Sequence, residues 1–552
     1  MTLLLTTGYA LWAGGAVFLT GRLLQGFSFW LGLALIFAIP GYYASNTLFR
    51  YGEPFLTPRI IAEGLSLLAL ALLLTKRRFA AFILLLAAFT LHPLMAMGGV
   101  IFAGFYLFKD KPKTVLAGAG IGAALILLLA SSGIAPFDRL LIVMDESWFE
   151  MSFARSPFVF WDAWASADGN RVLFASSLLL AAGAVGQSPV RHAFLAALAV
   201  GLTGFLLFWV GTSLSHNLLL IQVQPYRWLW LTQFFSFIAA AWLMDRFHTE
   251  DRTGRLLLSG FLVAWLLPNY AGGWLALLPC ILFILYTRSN RKITPPAAIT
   301  QLLPGLLLAA VAWRLLVAWQ EASSSFVAAE GATTIGFALI WGIIFFKAGG
   351  GGIVTVPCLL GIWRHGSVRQ KVAHLTVTGG VLLLLGLSLT FWYRPDNWSR
   401  FYLSQVMQEP IPAFSRLIPE DATVYWEDNL KMTWFVLGRA SYASFHQLAG
   451  LTFNRETAME GKRRMNRLSS LDTEDSTVIW RWPGEEKEQR HPTNFEALVH
   501  VCHDPALDFV VLSNRLEQGM LTEHLEKVTG KYFYLYDCSK LRHGFPDTWI
   551  KK

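Results

Sequence analysis

The chain has few charged residues and few cysteines. Only 15% of its 552 residues are charged, whereas 55% are hydrophobic, and the mean hydropathy is +0.47. A soluble protein would carry about 25% charged residues. The four cysteines form no CxxC pair and are not spaced with histidines as in a zinc-binding motif, which excludes the common zinc and redox motifs. The composition therefore indicates a membrane protein.

The sequence also argues against a phosphate-binding loop, a signal peptide and nucleic-acid binding. The glycine run at 349–352 is not followed by the Lys-Ser/Thr of a phosphate-binding loop. The first residues have neither a basic stretch nor a clear cleavage site, so we interpret them as a retained span rather than a signal peptide. The net charge is +9, but the Lys and Arg residues lie in short loops between apolar segments, which is how membrane orientation is set. We therefore expect no nucleic-acid binding.

Apolar segments recur along residues 1–393, and cationic clusters fall on alternate loops. A spanning helix needs about 20 largely apolar residues, and loops rich in Lys and Arg face the cytoplasm. The segments between the cationic loops form pairs, including a hairpin that turns near His92 and Pro93. The pattern predicts an α-helical polytopic membrane domain over 1–393 with about 12–14 hydrophobic helices. Its external loops are predicted near 47–59, 136–170 and 214–226.

The last predicted span, 375–393, leaves the cytoplasm and places residues 394–552 outside. Short runs rich in β-branched and aromatic residues predict strands at 423–426, 509–512 and 532–535. Residues 454–470 and 515–529 are predicted to be polar helices. The tail is thus expected to be an extracytoplasmic α/β domain. Cys502 and Cys538 could form a disulfide there, or remain two free thiols.

Several arginines map to the predicted outer boundary, against the usual distribution of positive charge. A guanidinium group binds phosphate through two hydrogen bonds and stays charged, so the set suggests an anionic ligand at that face. Some of these side chains could instead extend to the outer lipid headgroups. The set comprises Arg59, Arg155, Arg171, Arg227 and Arg314.

The most distinctive local motif is the external loop 51–59, Tyr-Gly-Glu-Pro-Phe-Leu-Thr-Pro-Arg, which leads into a span. Glu53 is a candidate general base or a ligand of a divalent cation. The alternative is a rigid turn in which Glu53 and Arg59 pair with each other.

A second group of acidic residues lies in the 136–171 loop, among several tryptophans. Carboxylates beside aromatic rings suit sugars, because the rings cover C–H surfaces and the acids bind hydroxyl groups. Asp145 and Glu146 are the candidate catalytic pair; the alternative is a solvated surface loop with interfacial tryptophans.

A third group of polar residues, including His216 and Gln224, precedes the span that follows Arg227. It predicts a site for a lipid phosphate or an acceptor. The same residues could instead cap the helix and anchor it at the interface.

These residues give the chain a resemblance to the GT-C superfamily of multi-span glycosyltransferases, which use polyprenyl-phosphate-linked sugars. The resemblance lies in the architecture of most of the chain: many spans, long external loops in the first half, boundary arginines and an external α/β domain. The stretch 418–426, Ile-Pro-Glu-Asp-Ala-Thr-Val-Tyr-Trp, looks like the strand that opens such domains. The resemblance implies that an acid in an external loop deprotonates the acceptor on the outer face, while arginines hold the lipid phosphate.

Members of this family usually have an essential Asp or Glu in the loop after the first span, and the 23–27 connection has none. Either an earlier start with one more helix carries that acid, or Glu53 replaces it, or the protein is not catalytic.

The leading hypothesis is a glycosyltransferase of the bacterial inner membrane that acts in cell-surface polysaccharide or glycoconjugate assembly. Its partners would be the bilayer, a polyprenyl-phosphate-linked sugar and an acceptor glycan or protein. A transporter or flippase of a lipid-linked or anionic solute would have deep paired charges and internal symmetry, and the sequence shows few of the former and no repeat. A non-catalytic component that recruits assembly proteins is the third possibility. It would be favoured if Glu53→Gln and Asp145→Asn left function intact while deletion of the tail abolished it.

Overall fold

In a computed structural model, the protein consists of two compact units. They are Met1–Ile142 with Trp164–Leu384, and Val143–Ala163 with Leu385–Lys552. The structure describes residues 2–288 except 46–47, 54–55, 249–251 and 268–271, isolated positions between 305 and 320, and residues 411–544 except 472–492 and 527–529. The predicted last span at 375–393 and the boundary residue Arg314 lie outside the described residues.

The described part of the first unit consists mainly of apolar α-helices, and a longer connection joins α2 to α3. Helices are numbered along the whole chain, and α7 belongs to the second unit. Those of the first unit are α1 (Thr2–Leu23), α2 (Gly26–Ala38), α3 (Pro58–Leu74), α4 (Arg78–Leu91), α5 (Pro93–Leu107), α6 (Pro112–Ser131), α8 (Ser166–Val185), α9 (Val190–Trp209), α10 (Leu218–Val223), α11 (Leu229–His248), α12 (Arg252–Leu266) and α13 (Gly272–Arg288).

Prolines set the start of several helices, as local sequence chemistry requires. Pro58 and Pro93 occupy the first turns of α3 and α5, where the missing N–H is not needed. The side chain of His92 accepts a hydrogen bond from the N–H of Met95 and so caps α5. The predicted hairpin that turns at His92-Pro93 is therefore present as the α4–α5 pair.

Three helices among the described residues are long and apolar enough to cross a membrane: Leu3–Leu23, Pro112–Ser131 and Val190–Leu214. Helix α6 leaves apolar side chains uncovered by protein; Ile121, for example, is 72% exposed. Exposed apolar surface of this kind is typical of contact with lipid. The fold is mostly helical and membrane association is indicated, while the predicted number of 12–14 spans is not established by these helices.

The second unit contains a five-stranded sheet with helices. Its strands are β1 (Thr423–Trp426), β2 (Ala440–Ser441), β3 (Phe509–Leu512), β4 (Met520–Glu526) and β5 (Lys531–Asp537), in the order β2-β1-β3-β5-β4. Strand β1 pairs in parallel with β2 and β3, whereas β5 pairs antiparallel with β3 and β4. Its helices are α7 (Glu146–Arg155), α14 (Pro412–Ser415), α15 (Arg455–Leu468), α16 (Phe495–Cys502) and α17 (Cys538–Gly544).

The prediction of a polar helix at 515–529 is wrong, because residues Met520–Glu526 form the strand β4. Its backbone pairs with β5, for example Thr522 with Leu535 and Glu526 with Lys531. Since β4 lies at the edge of the sheet, it can carry polar side chains, which are common on edge strands. A polar composition is compatible with a surface helix and with an edge strand, and it therefore does not distinguish the two. The strands predicted at 423–426 and 509–512 have the observed bounds.

Within the described residues, the two units differ from the predicted domain bounds at the segment 143–163. Residues 143–163, predicted as part of an external loop of the membrane domain, pack with the C-terminal unit. The indole N–H of Trp148 in α7 donates to the carbonyl oxygen of Leu451 at 2.8 Å. The guanidinium of Arg155 stacks on the ring of Phe445 at 4.0 Å and donates to its carbonyl oxygen. These partners lie about 300 residues away in the chain, at separations of 303 and 290, where no local pattern can reveal them.

A disulfide joins Cys502, the last residue of α16, to Cys538, the first residue of α17. The two residues are 36 positions apart in the chain. Cys280 in α13 is a free, buried cysteine.

We expect the double substitution of Cys502 and Cys538 by Ser to lower the free energy of unfolding of the second unit by about 4 kcal/mol, because an open loop of this length gains chain entropy in the unfolded state. Urea-dependent pulse proteolysis of the full-length protein in lipid nanodiscs would measure the change. Cys280→Ala is the control and should leave the second unit unaffected. An unchanged midpoint in the double variant would contradict this prediction.

Candidate active site

The connection between α2 and α3 folds back on itself and is largely buried. Tyr42 and Arg50 form an isolated antiparallel bridge, and the N–H of Tyr51 donates to the carbonyl oxygen of Gly41 at 3.3 Å. A side chain at Gly41 would overlap the ring of Tyr51, so glycine is required for this approach. Glu53, further along the connection, is only 3% exposed. The predicted external loop is therefore packed against the helices rather than solvated.

Both oxygens of the Glu53 carboxylate have partners. Oε1 lies 2.8 Å from Nη1 of Arg59, the second residue of α3, and Oε2 accepts a hydrogen bond from the hydroxyl of Thr57 at 3.1 Å. The pairing of Glu53 with Arg59, which the sequence left open as an alternative, is thus present.

Arg227 lies beside this pair although it comes from a distant part of the chain. The guanidinium of Arg59 lies over the ring of Phe49 at 5.6 Å, and that of Arg227 lies over the same ring at 4.5 Å. The carbonyl oxygen of the Gln224 side chain accepts hydrogen bonds from Nε of Arg227 at 2.5 Å and from the hydroxyl of Tyr226 at 3.1 Å. Phe49 and Gln224 together hold two guanidinium groups near one carboxylate.

Burial raises the pKa of the Glu53 carboxyl above its usual value, and the positive charges of Arg59, Arg227 and Arg50 offset only part of this effect. A carboxylate in a poorly solvated site accepts a proton more readily than one in water. The guanidinium groups of the neighbouring arginines can bind phosphate oxygens in pairs. The cluster thus combines a group able to take a proton with groups able to hold an anion.

Glu63, in α3, is a member of this neighbourhood that the sequence analysis missed. It is 1% exposed, and its Oε2 accepts a hydrogen bond from the N–H of Gly52 at 2.8 Å. An acid within the apolar run Ile-Ile-Ala-Glu-Gly-Leu of α3 was the available indication, because ionisable residues inside membrane helices are costly and usually functional.

The structure separates the predicted arginine set. Arg59 and Arg227 lie together. Arg171, in α8, instead pairs at 3.0 Å with Asp168 in the first turn of the same helix. Arg155 belongs to the second unit, where it contacts Phe445.

The acids of the second predicted group also belong to the second unit. Asp145 caps α7 by accepting from the N–H of Trp148, and its carboxylate pairs with Arg455. Glu146 is exposed in the first turn of the same helix. Both acids therefore lie on the segment that packs with the C-terminal sheet unit, and Asp145 has a structural role there.

The third predicted group forms a turn before α10. His216 has a positive φ of 45°, which marks the tight turn there. Asn217 caps α10 through the N–H of Leu220 and donates from its amide to the carbonyl oxygen of Leu140 at 2.6 Å. The capping alternative thus describes Asn217, while Gln224 belongs to the arginine cluster. No group of three or more His, Cys, Asp or Glu residues that could hold a metal ion occurs in the described ranges.

No protein-family model matches the chain, and neither the curated proteins nor the solved structures gave a match.

Proposed function

We propose that the protein is a membrane glycosyltransferase, similar to the GT-C superfamily, that transfers a sugar from a polyprenyl-phosphate donor to an acceptor hydroxyl on the outer face of the bacterial inner membrane. The observation that carries the proposal is the buried carboxylate of Glu53 beside two arginines that share the ring of Phe49. A donor of this kind offers an anomeric carbon next to a phosphate, which matches one proton acceptor next to two cations.

The reaction would begin with the acceptor hydroxyl near Glu53. Its proton passes to the carboxylate, and the acceptor oxygen attacks the anomeric carbon of the donor from the side opposite the phosphate. The bond between that carbon and the phosphate oxygen breaks, and its electron pair leaves with the lipid phosphate. Arg59 and Arg227 stabilise the charge that develops on the phosphate. The product has an inverted anomeric centre.

Arg59 has two functions in this scheme. Without donor it neutralises Glu53, as the 2.8 Å ion pair indicates. When a donor phosphate binds Arg59, the carboxylate loses part of that stabilisation and becomes a stronger base. Donor binding would thereby prepare the proton acceptor.

An external location for the second unit is supported by two independent features. The cationic clusters fall on the loops opposite the tail, and the Cys502–Cys538 disulfide suits an oxidising compartment. The three membrane-length helices support the bilayer as a partner.

The deciding experiment is a transfer assay with the purified full-length protein in lipid vesicles. Radiolabelled polyprenyl-phosphate sugars would be supplied with candidate acceptor glycans, and nucleotide sugars would be the matched donors that lack the lipid. We expect transfer from the lipid-linked donors only, with inversion at the anomeric carbon. If an extended panel of lipid-linked donors and acceptors gave no transfer, the proposal would be rejected.

A transporter of a lipid-linked or anionic solute is the second candidate function. It is favoured by Glu63, a buried acid inside an apolar helix, because intramembrane ionisable groups often mark transport paths. Movement of a fluorescent lipid-linked sugar across the same vesicles, without change in its glycosidic bond, would distinguish transport from transfer.

A further inference from the structure

The backbone of Gly52 is held by two neighbouring helices. Its N–H donates to Oε2 of Glu63 in α3 at 2.8 Å, and its carbonyl oxygen accepts from the hydroxyl of Tyr9 in α1 at 3.3 Å. A backbone N–H that is shielded from water needs an acceptor. For the half-buried Gly52 this acceptor is a side chain, whereas the N–H of Tyr51 donates to the backbone of Gly41. The carboxylate of Glu63 is therefore the acceptor that holds the N–H of Gly52, while the hydroxyl of Tyr9 holds its carbonyl oxygen.

Packing limits Gly52 further. Its φ is +61°, a conformation that favours glycine, and a Cβ would lie 2.9 Å from the ring of Trp12. Gly64, next to Glu63, lets α3 approach α1 so closely that a Cβ there would lie 2.8 Å from the backbone nitrogen of Trp12. Trp12 thus contacts both glycines, and the close helix pair brings Glu63 to the loop.

The position of Gly52 determines that of Glu53, because the two residues share a peptide bond. The Glu53 carboxylate reaches Arg59 from this point at 2.8 Å. Catalytic groups lose rate steeply when misplaced, with a shift of 1 Å able to cost about 100-fold. A residue that holds Gly52 consequently controls the geometry of the proposed base.

We propose that Glu63 is a positioning residue, whose carboxylate fixes Gly52 and thereby keeps Glu53 beside Arg59 and Arg227. The catalytic consequence rests on the proposed function, whereas the anchoring of the loop does not. Glu63 acts here as a hydrogen-bond acceptor, and an amide oxygen can take the same part. In the proposed reaction, the proton of the sugar-accepting hydroxyl passes to Glu53 and does not reach Glu63.

Three variants of the full-length protein in lipid vesicles test this inference. Glu63→Gln keeps an acceptor for the Gly52 N–H, Glu63→Leu removes it, and Leu67→Ala makes a cavity one turn further along α3, where Leu67 is fully buried. Hydrogen exchange of the segment 48–58 reports the anchoring without any substrate. Transfer kinetics report its effect on the proposed reaction.

We expect Gly52 to exchange about 10-fold faster in Glu63→Leu, which corresponds to the loss of one hydrogen bond. Its kcat for transfer should fall about 100-fold while the KM for the donor stays within about threefold, since the arginines remain. Glu63→Gln should retain both the protection and at least about a third of the wild-type kcat. Leu67→Ala should lower the melting temperature without faster exchange at Gly52.

Two results would overturn the inference. One is unchanged exchange of the loop in Glu63→Leu, which would show that the loop does not depend on this acceptor. The other is an inactive Glu63→Gln variant with a protected loop, which would mean that the acid itself takes part in the chemistry. If the wild-type protein showed no transfer, the exchange measurements alone would decide on the anchoring, so the two proposals can fail separately.

Discussion

Replacing Glu53 by Gln is expected to lower the rate of sugar transfer by about 100- to 10,000-fold, the range found when a general base is lost. Gln has nearly the same shape and can still accept from the Thr57 hydroxyl, but it cannot take the acceptor proton. The ion pair with Arg59 is lost as well, so the melting temperature of the variant in lipid must be measured beside its rate. The rate is followed with the radiolabelled donor at saturating concentration.

Glu420→Gln is the matched control, because Glu420 is an exposed acid of the second unit and the same change there should leave the rate unaltered. Asp145→Asn and Glu146→Gln should be tested in parallel, as the sequence made these acids competing candidates. Full activity in Glu53→Gln together with loss in either of those two would transfer the catalytic role to the second unit and reject the assignment to Glu53.

The same residue should determine the acid side of the pH profile. Glu53 must be deprotonated to accept a proton, and burial raises the pKa of its carboxyl. The rate should therefore decline as the pH falls, and this decline should begin at a higher pH than an ordinary glutamic acid would give. This decline should be absent from the residual rate of Glu53→Gln.

Replacing Arg227 by Gln is expected to reduce kcat by about 100- to 1,000-fold, as for other groups that stabilise developing charge. The loss includes the stacking on Phe49 and the hydrogen bond to Gln224, which orient the guanidinium. Arg227→Lys should give an intermediate rate, because an ammonium keeps the charge but not the paired donors. Initial rates at varied donor concentration separate kcat from KM.

Arg78→Gln serves as the control for this series, since Arg78 is exposed at the start of α4 within a predicted cytoplasmic loop. A rise in KM at constant kcat in Arg227→Gln would mean that Arg227 binds the donor in the ground state and does not stabilise the leaving phosphate. That outcome would contradict its proposed role.

Candidate site residues could be recognised from the sequence where they lie close together in the chain. Glu53 and Arg59 are six residues apart, and the prolines at 54 and 58 marked their loop. Arg227 was identified from a dense polar segment. The proximity of Arg227 to Phe49 could not be predicted, because it depends on how helices pack over a separation of 178 residues (227 − 49). The role of Glu63 could not be predicted, because a single acid in an apolar run has no recognisable partner until the loop folds onto it.

Local sequence was enough to predict the long apolar helices, the α4–α5 hairpin, the strands β1 and β3 and the helix α15, because each depends on the periodicity of neighbouring residues and on local caps. Long-range contacts were needed to show that 143–163 packs with the sheet unit, that β4 is an edge strand rather than a helix, and that Gly52 is held by Glu63. The physical reason is the same in all three cases. The partner that satisfies the backbone or side-chain group lies elsewhere in the chain, and only folding brings it within hydrogen-bonding distance.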